Sequence, residues 1–130
     1  MIVVDAGVLS TGLADDSAAG STVRARLSGE ELAAPELVDL EVASVLRRLL
    51  RTGRVTAARA RLALEDLVDL PVDRAPHRPL LARCWELRDN LTPYDAAYVA
   101  LAESLDCTLL TSDGRLSRAP GLRCDVEVLE

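Results

Sequence analysis

Four acidic residues, Asp5, Glu41, Asp95 and Asp113, stand at places in the chain where solubility alone does not account for them. Asp5 and Asp113 each follow an apolar run, Ile2-Val3-Val4 and Leu109-Leu110-Thr111. In open parallel sheets, ligands bind beyond the carboxyl ends of the strands, so two such acids converge if their strands are central neighbours. Asp is equally a common strand-exit residue that caps a turn. Glu41 is four residues after Leu37 and four before Val45, on the apolar stripe of a helical pattern. A carboxylate in that position is costly unless it meets a partner or a cation. Glu36 and Asp39, by contrast, read as first-turn acids that favour the helix dipole. Asp95 follows Thr92-Pro93, where an acid is also a routine capping feature. The helix it opens is apolar nearly all round, however, so its first turn is expected to point into the fold.

Carboxylates that converge repel. Two like charges about 4 Å apart cost about 4 kcal/mol at an effective dielectric of 20. Several such pairs rival a small domain's net stability of about 5–15 kcal/mol. The cluster must therefore bind cations or keep some carboxyls protonated. Hard oxygen donors without thiolate or imidazole favour Mg²⁺ or Mn²⁺. The lone His77 lies between Pro76 and Pro79 and reads as a surface loop residue. With no Ser–His or Cys–His pairing apparent, a metal-activated water is the natural nucleophile.

The elements that must position these acids can be read from periodicity. Ile2-Val3-Val4 suits a strand buried on both faces. Gly7 and Gly12 are expected to break the chain before a helix capped by Ser17 and running to about Leu27. Leu32-Ala33-Ala34 suits a second strand, stopped by Pro35. A long helix follows, with Val38, Val42, Val45, Leu46 and Leu49 at helical spacing and Arg47, Arg48 and Arg51 at its far end. Thr52-Gly53 closes it. Thr56 caps the next helix, to about Asp69, with Leu62 and Leu64 to Val68 inside. Leu70-Pro71-Val72 is a weak strand, a further helix spans about 78–88, and Thr92 caps the apolar helix of Asp95. Thr108 to Thr111 and Val126 to Val128 complete the strands, with Ser112-Asp113-Gly114 as a tight turn. Strands alternating with helices imply an α/β fold, a three-layer α/β/α sandwich with a short, mainly parallel central sheet. Residues 1–130 are read as a single domain.

Composition sets the outer bounds. Apolar residues make up 49% of the 130, aromatics only 2% with no Phe, so the core must be built from Leu, Val and Ala. A net charge of −6 argues against a protein that coats nucleic acid or anionic membrane, although bound cations invert the field locally. All fifteen basic residues are Arg. That suits bidentate phosphate contacts, and a compositional bias against Lys explains it as well. Cys84, Cys107 and Cys124 are odd in number and widely spaced, reading as reduced thiols in a cytoplasmic protein. The N-terminus lacks a basic n-region, and no apolar run reaches the roughly 18 residues of a membrane span.

Taken in order, Val3-Val4-Asp5, Glu41 with Val45-Leu46-Arg47-Arg48, the stretch from Leu91 through Tyr94-Asp95-Ala96-Ala97-Tyr98 to Glu103, and Leu109-Leu110-Thr111-Ser112-Asp113 resemble a PIN domain. Within that group the chain is most similar to VapC-type toxins of bacterial toxin–antitoxin pairs. The resemblance implies an endoribonuclease acting on structured RNA, tRNA or rRNA. It gathers the four acids around one or two Mg²⁺ or Mn²⁺ ions, with Asp5 and Asp95 as direct ligands and Glu41 and Asp113 completing the shell. Thr111 matches a hydroxyl position beside such sites. A homodimer and a small DNA-binding antitoxin that inserts into the acidic groove are also implied. Ala6-Gly7 departs from relatives that carry Thr or Ser after the first Asp.

Other phosphoryl-transfer families fit less well. A haloacid-dehalogenase-like phosphatase needs a second Asp where Gly7 stands, and a receiver domain needs a Lys that the chain lacks. An RNA-processing nuclease outside a toxin pair, and a silent RNA- or partner-binding module, stay open at this stage. Arg47, Arg48 and Arg51, with Arg54, Arg59 and Arg61, are candidates for RNA, antitoxin or dimer contact, or else a solvated face.

Overall fold

A computed structural model describes residues 1–129. In chain order its elements are β1 (Ile2–Val4), α1 (Ala6–Ala14), α2 (Ala18–Leu27), β2 (Leu32–Pro35), α3 (Val38–Arg51) and α4 (Ala57–Asp69). There follow β3 (Val72–Ala75), a 3₁₀ turn (Arg78–Leu80), α5 (Leu81–Glu86), α6 (Pro93–Leu105), β4 (Thr108–Thr111), α7 (Gly114–Ser117) and β5 (Val126–Val128). The five strands form one sheet in the order β3-β2-β1-β4-β5, and every pairing is parallel. Helices α1 to α4 pack on one another, while α6 lies across β1, β2 and β4. This is the expected α/β/α sandwich. The core is Leu, Val and Ala, with Val3, Val38, Val42, Leu46, Leu109 and Leu110 essentially sealed from water.

The strand order places a switch point between β1 and β4. From β1 the chain winds outward through β2 and β3, and then crosses back to β4 and β5. Neighbouring loops at such a point leave in opposite directions and open a crevice. Register sharpens this, because Val4 pairs with Leu110, so Asp5 and Thr111 come next on adjacent parallel strands.

Several elements differ from expectation for physical reasons. Residues 6–14 are a helix, not a break. Asp5 caps it, accepting from the Val8 N–H at 2.8 Å, and its glycines are sites of close approach. A Cβ on Gly7 would stand 2.5 Å from Ser112 Oγ, and one on Gly12 would stand 3.1 Å from Val23 Cγ1. In α4 the inward residues are Ala60, Ala63 and Leu67, while Leu62, Leu64 and Val68 are exposed. Small alanines let α4 approach α1 and α3, which apolar patterning alone does not reveal. β3 begins after Pro71, consistent with proline's inability to donate within a ladder. The helix expected over 78–88 is a 3₁₀ turn followed by α5, and the 112–114 turn is the cap of α7.

Candidate active site

Asp5 leaves β1 and caps α1, so its carboxylate is held from two sides. Oδ1 accepts from Val8 N, and Oδ2 accepts from Thr111 Oγ1 at 2.5 Å. Thr111 ends β4 and is wholly buried, so its hydroxyl must be satisfied. It is, because it also accepts from the Asp113 N–H at 3.0 Å. One hydroxyl thus ties the acid ending β1 to the backbone of the acid beyond β4. Burial pushes the Asp5 carboxyl above its ordinary pKa, the bonds from Thr111, Val8 and Ser112 oppose this, and the charge of Asp95 adds to the rise.

Glu41 reaches the same region from the first turn of α3, half-buried. Its Oε1 accepts from the hydroxyl of Tyr98 at 2.6 Å. Burial raises its pKa, the Tyr98 bond lowers it, and the charges of Asp95 and Asp5 raise it further. Tyr98 is almost fully buried on α6, three residues after Asp95, and burial together with Glu41 holds its hydroxyl protonated. The sequence had shown Tyr98 only as part of an apolar helix. The missed signal was its hydroxyl, which a buried tyrosine must pair.

Asp95 lies in the first turn of α6, whose Thr92 cap accepts from the Asp95 N–H at 3.2 Å. It stands at the surface rather than pointing into the fold as expected; burial begins at Ala96 and runs through Ala102. Neighbouring protein still desolvates the carboxyl enough to raise its pKa, and the charge of Asp113 adds to this. Asp113 differs. Its carboxylate caps α7 through Arg115 N at 2.9 Å and pairs with the Arg115 guanidinium at 3.2 Å, which holds its pKa low.

The four acids therefore come from four segments and feel one another's charge in an unbroken series: Glu41 with Asp5 and Asp95, Asp5 with Asp95, and Asp95 with Asp113. Among the described residues no three His, Cys, Asp or Glu side chains stand close enough together to hold a metal ion as they are placed. Glu41 Oε2 accepts no hydrogen bond among the described residues, which leaves the arrangement open on that side. Three carboxyls whose ionisation burial and mutual charge disfavour, offering only oxygen, suit a hard divalent cation. His77 is exposed as expected, but its Nε2 accepts from Leu37 N at 3.0 Å and so anchors the start of the helix carrying Glu41.

The basic residues divide sharply. Arg59 holds Asp16 and the Leu13 carbonyl, joining α4 to the end of α1, and Arg61 pairs with Glu65 on its own helix. Arg74 clasps Asp39, Arg26 clasps Glu127, and Arg83 clasps Glu103. Arg47, Arg48 and Arg51 are exposed and form no ion pair among the described residues. A groove of about 760 Å³ between α1, α2 and α4 holds none of the four acids. A groove of about 350 Å³ does take in Asp95 and Asp113, beside Arg115 and Arg118. The thiols of Cys84, Cys107 and Cys124 are free; burial pushes that of Cys124 up to about 11. Among the described residues no helix is long and apolar enough to cross a membrane.

A family model described as "PIN domain" matches residues 2–122. The chain is 46% identical over 129 residues to ribonuclease VapC9 of Mycobacterium tuberculosis, covering 99% of this chain and 98% of that one. It is 43% identical to ribonuclease VapC1 of the same organism over 128 residues, 98% and 96% of the two chains. Among solved structures, PAE2754 from Pyrobaculum aerophilum superposes with a TM-score of 0.71 at 29% identity, over 98% of this chain and 83% of the other.

Proposed function

Because the chain belongs to the PIN-domain family, we propose that it is a Mg²⁺- or Mn²⁺-dependent endoribonuclease toxin. In this reading residues 1–130 act as one domain and Asp5, Glu41, Asp95 and Asp113 form the active site. Likeness along nearly the whole chain to VapC ribonucleases supports the ribonuclease activity. The observation that carries the site assignment is the Thr111 hydroxyl, which donates to the Asp5 carboxylate and accepts from the Asp113 N–H where β1 and β4 end side by side. Burial first, and neighbouring acids second, raise the pKa values of Asp5, Glu41 and Asp95 around it. Such a set is stabilised by what neutralises it.

Asp5 and Asp95 would hold the cation directly, with Glu41 and Asp113 completing its surroundings. When bound, the cation supplies an activated water and neutralises charge on the phosphodiester undergoing hydrolysis. The protein's own part is positional. Thr111 fixes the Asp5 carboxylate, Tyr98 fixes that of Glu41, and Arg115 keeps Asp113 ionised. The substrate is structured RNA, tRNA or rRNA. A small cognate antitoxin, a homodimer and a cytoplasmic setting belong to the same proposal, resting on the likeness to VapC chains.

The test is cleavage of total RNA by purified protein with Mn²⁺ or Mg²⁺ and after exhaustive EDTA. Cleavage is expected only with the cation, and Asp5→Asn is expected to abolish it in a folded protein. Cleavage that persists in EDTA removes the metal from the mechanism, and full activity of Asp5→Asn removes that residue.

A further inference from the structure

A basic groove lies beside the candidate site. It encloses about 610 Å³ between α1, the C-terminal half of α3 and the loop to α4, and Arg48, Arg54 and Arg59 line it. Gly7 and Ser112 line it too, and Gly7 lies against the site: its absent Cβ would stand 3.5 Å from Asp5 Oδ1. The groove therefore adjoins the acidic cluster.

Its charges are not equivalent. Two acids, Asp15 and Asp16, also line it. Asp16 is neutralised by the bidentate grip of Arg59, and Asp15 is occupied by the Ser17 backbone and hydroxyl. Among the described residues, the side chains of Arg48 and Arg54 form no ion pair. Arg26, Arg59, Arg61, Arg74, Arg83 and Arg115 clasp carboxylates, whereas Arg48 and Arg54 are uncommitted and lie beside an acidic site in a chain of net charge −6. Arg47 and Arg51, equally unpaired and on the same helix, do not line the groove.

Resting on the ribonuclease reading, we propose that this groove is the substrate subsite flanking the scissile bond, with Arg48 and Arg54 holding RNA backbone phosphates. A guanidinium forks onto two phosphate oxygens, and polar walls suit a hydrated sugar–phosphate chain better than an apolar helix face. The pair offsets the repulsion a polyanion meets on approaching four carboxylates. Arg47 and Arg51 add only to the general field.

The comparison that tests this removes two charges in either of two places. R48Q/R54Q and R47Q/R51Q are made in the full chain, and also in the Asp5→Asn background for binding without cleavage. The probes are a fluorescent oligouridylate and a structured RNA hairpin, titrated at several salt concentrations. A single-stranded phosphate contact contributes a slope of about 0.7 in log K against log salt. At 0.1 M salt that is about fivefold per contact, hence about 25-fold weaker binding for R48Q/R54Q and a slope shallower by about 1.4. R47Q/R51Q is expected to change binding by less than about threefold, and R48K/R54K to recover part of the loss. Melting curves matching wild type separate this from misfolding, because Arg48 and Arg54 are exposed. Equal losses in both double variants overturn the subsite in favour of a diffuse field. Unchanged RNA binding in R48Q/R54Q overturns it and assigns the groove to a protein contact. Wild-type protein that neither binds nor cleaves RNA removes the ribonuclease reading, and the subsite falls with it.

Discussion

Replacing Thr111 by Val keeps nearly the same shape and deletes one hydroxyl that has two partners. The side chain is wholly buried, so water does not substitute. Lost first is the bond to Asp5 Oδ2, a donor to an ionised acceptor, worth about 1.5–3 kcal/mol. Lost second is the acceptor for the Asp113 N–H, which costs about 1 kcal/mol because Asp113 is only partly covered. Together these remove about 2.5–4 kcal/mol from a stability of about 5–15 kcal/mol. With an unfolding entropy of about 2.1 cal/mol/K per residue, the melting temperature at pH 7 in EDTA should fall by about 9–15 °C. The pH dependence carries a sign. The Thr111 bond lowers the Asp5 pKa, so its loss raises that pKa further above the unfolded value. The folded variant then binds more protons than folded wild type, so its deficit narrows as pH falls toward the carboxylate range. Paired melts at pH 7 and pH 5 measure both effects. A shift under 2 °C at pH 7, or a deficit that widens on acidification, refutes the bridging role.

Neutralising Asp95 as Asn should abolish RNA cleavage yet raise the metal-free melting temperature by about 1–3 °C, a small gain because the carboxyl is largely exposed and screened. Metal-free wild type should likewise gain stability as pH falls from 7, since Asp5, Glu41 and Asp95 have raised folded-state pKa values and take up protons in the fold. The gain reverses once Asp113 and Glu103, held low by Arg115 and Arg83, are protonated, and calorimetry in EDTA from pH 8 to 3 would show a maximum. Arg83→Met should cost about 2–4 kcal/mol, because it leaves Glu103, 11% exposed, with only the Arg123 N–H, and frees the Gly121 carbonyl that Arg83 holds at 2.6 Å. Arg88→Met, which loses contact with the exposed Trp85 ring, serves as the near-neutral comparison; equal effects would show the Arg83 network to be decorative.

What the sequence revealed of the fold follows from how local each signal is. Thr56 and Thr92 cap their helices through Arg59 N and Asp95 N, so both starts are written within three residues of chain. β1 and β4 are short runs sealed on both faces, and hydrophobicity alone marks them. α1 was missed because its evidence is tertiary. Gly7 and Gly12 read as breakers until Ser112 and Val23 arrive from distant segments to occupy the space a Cβ would fill. The burial of α4 on alanines is hidden for the same reason, since Ala60 and Ala63 carry little apolar signal and gain meaning only when α1 and α3 approach.

The candidate site divides along the same line. Its acids were readable because a carboxylate after a strand or on an apolar stripe is locally anomalous. Their supports were not, since each is a common residue whose role exists only across the fold: Thr111 is 106 residues from Asp5, and Tyr98 is 57 from Glu41. These supports also give the site its asymmetry. Thr111 and Tyr98 are neutral donors, so they orient Asp5 and Glu41 without cancelling their charge. Arg115 does cancel the charge it meets, and it meets the acid at the open rim. If the cluster holds a cation as proposed, Asp5 and Glu41 would meet it with no basic side chain drawing on their charge. Arg115, by contrast, tempers Asp95 and would have to loosen from Asp113 before that acid contributed in full. In the proposed metal site, Asp95 and Asp113 would both respond to whatever draws Arg115 away, an incoming phosphate included, while Asp5 and Glu41 would keep their charge unchanged.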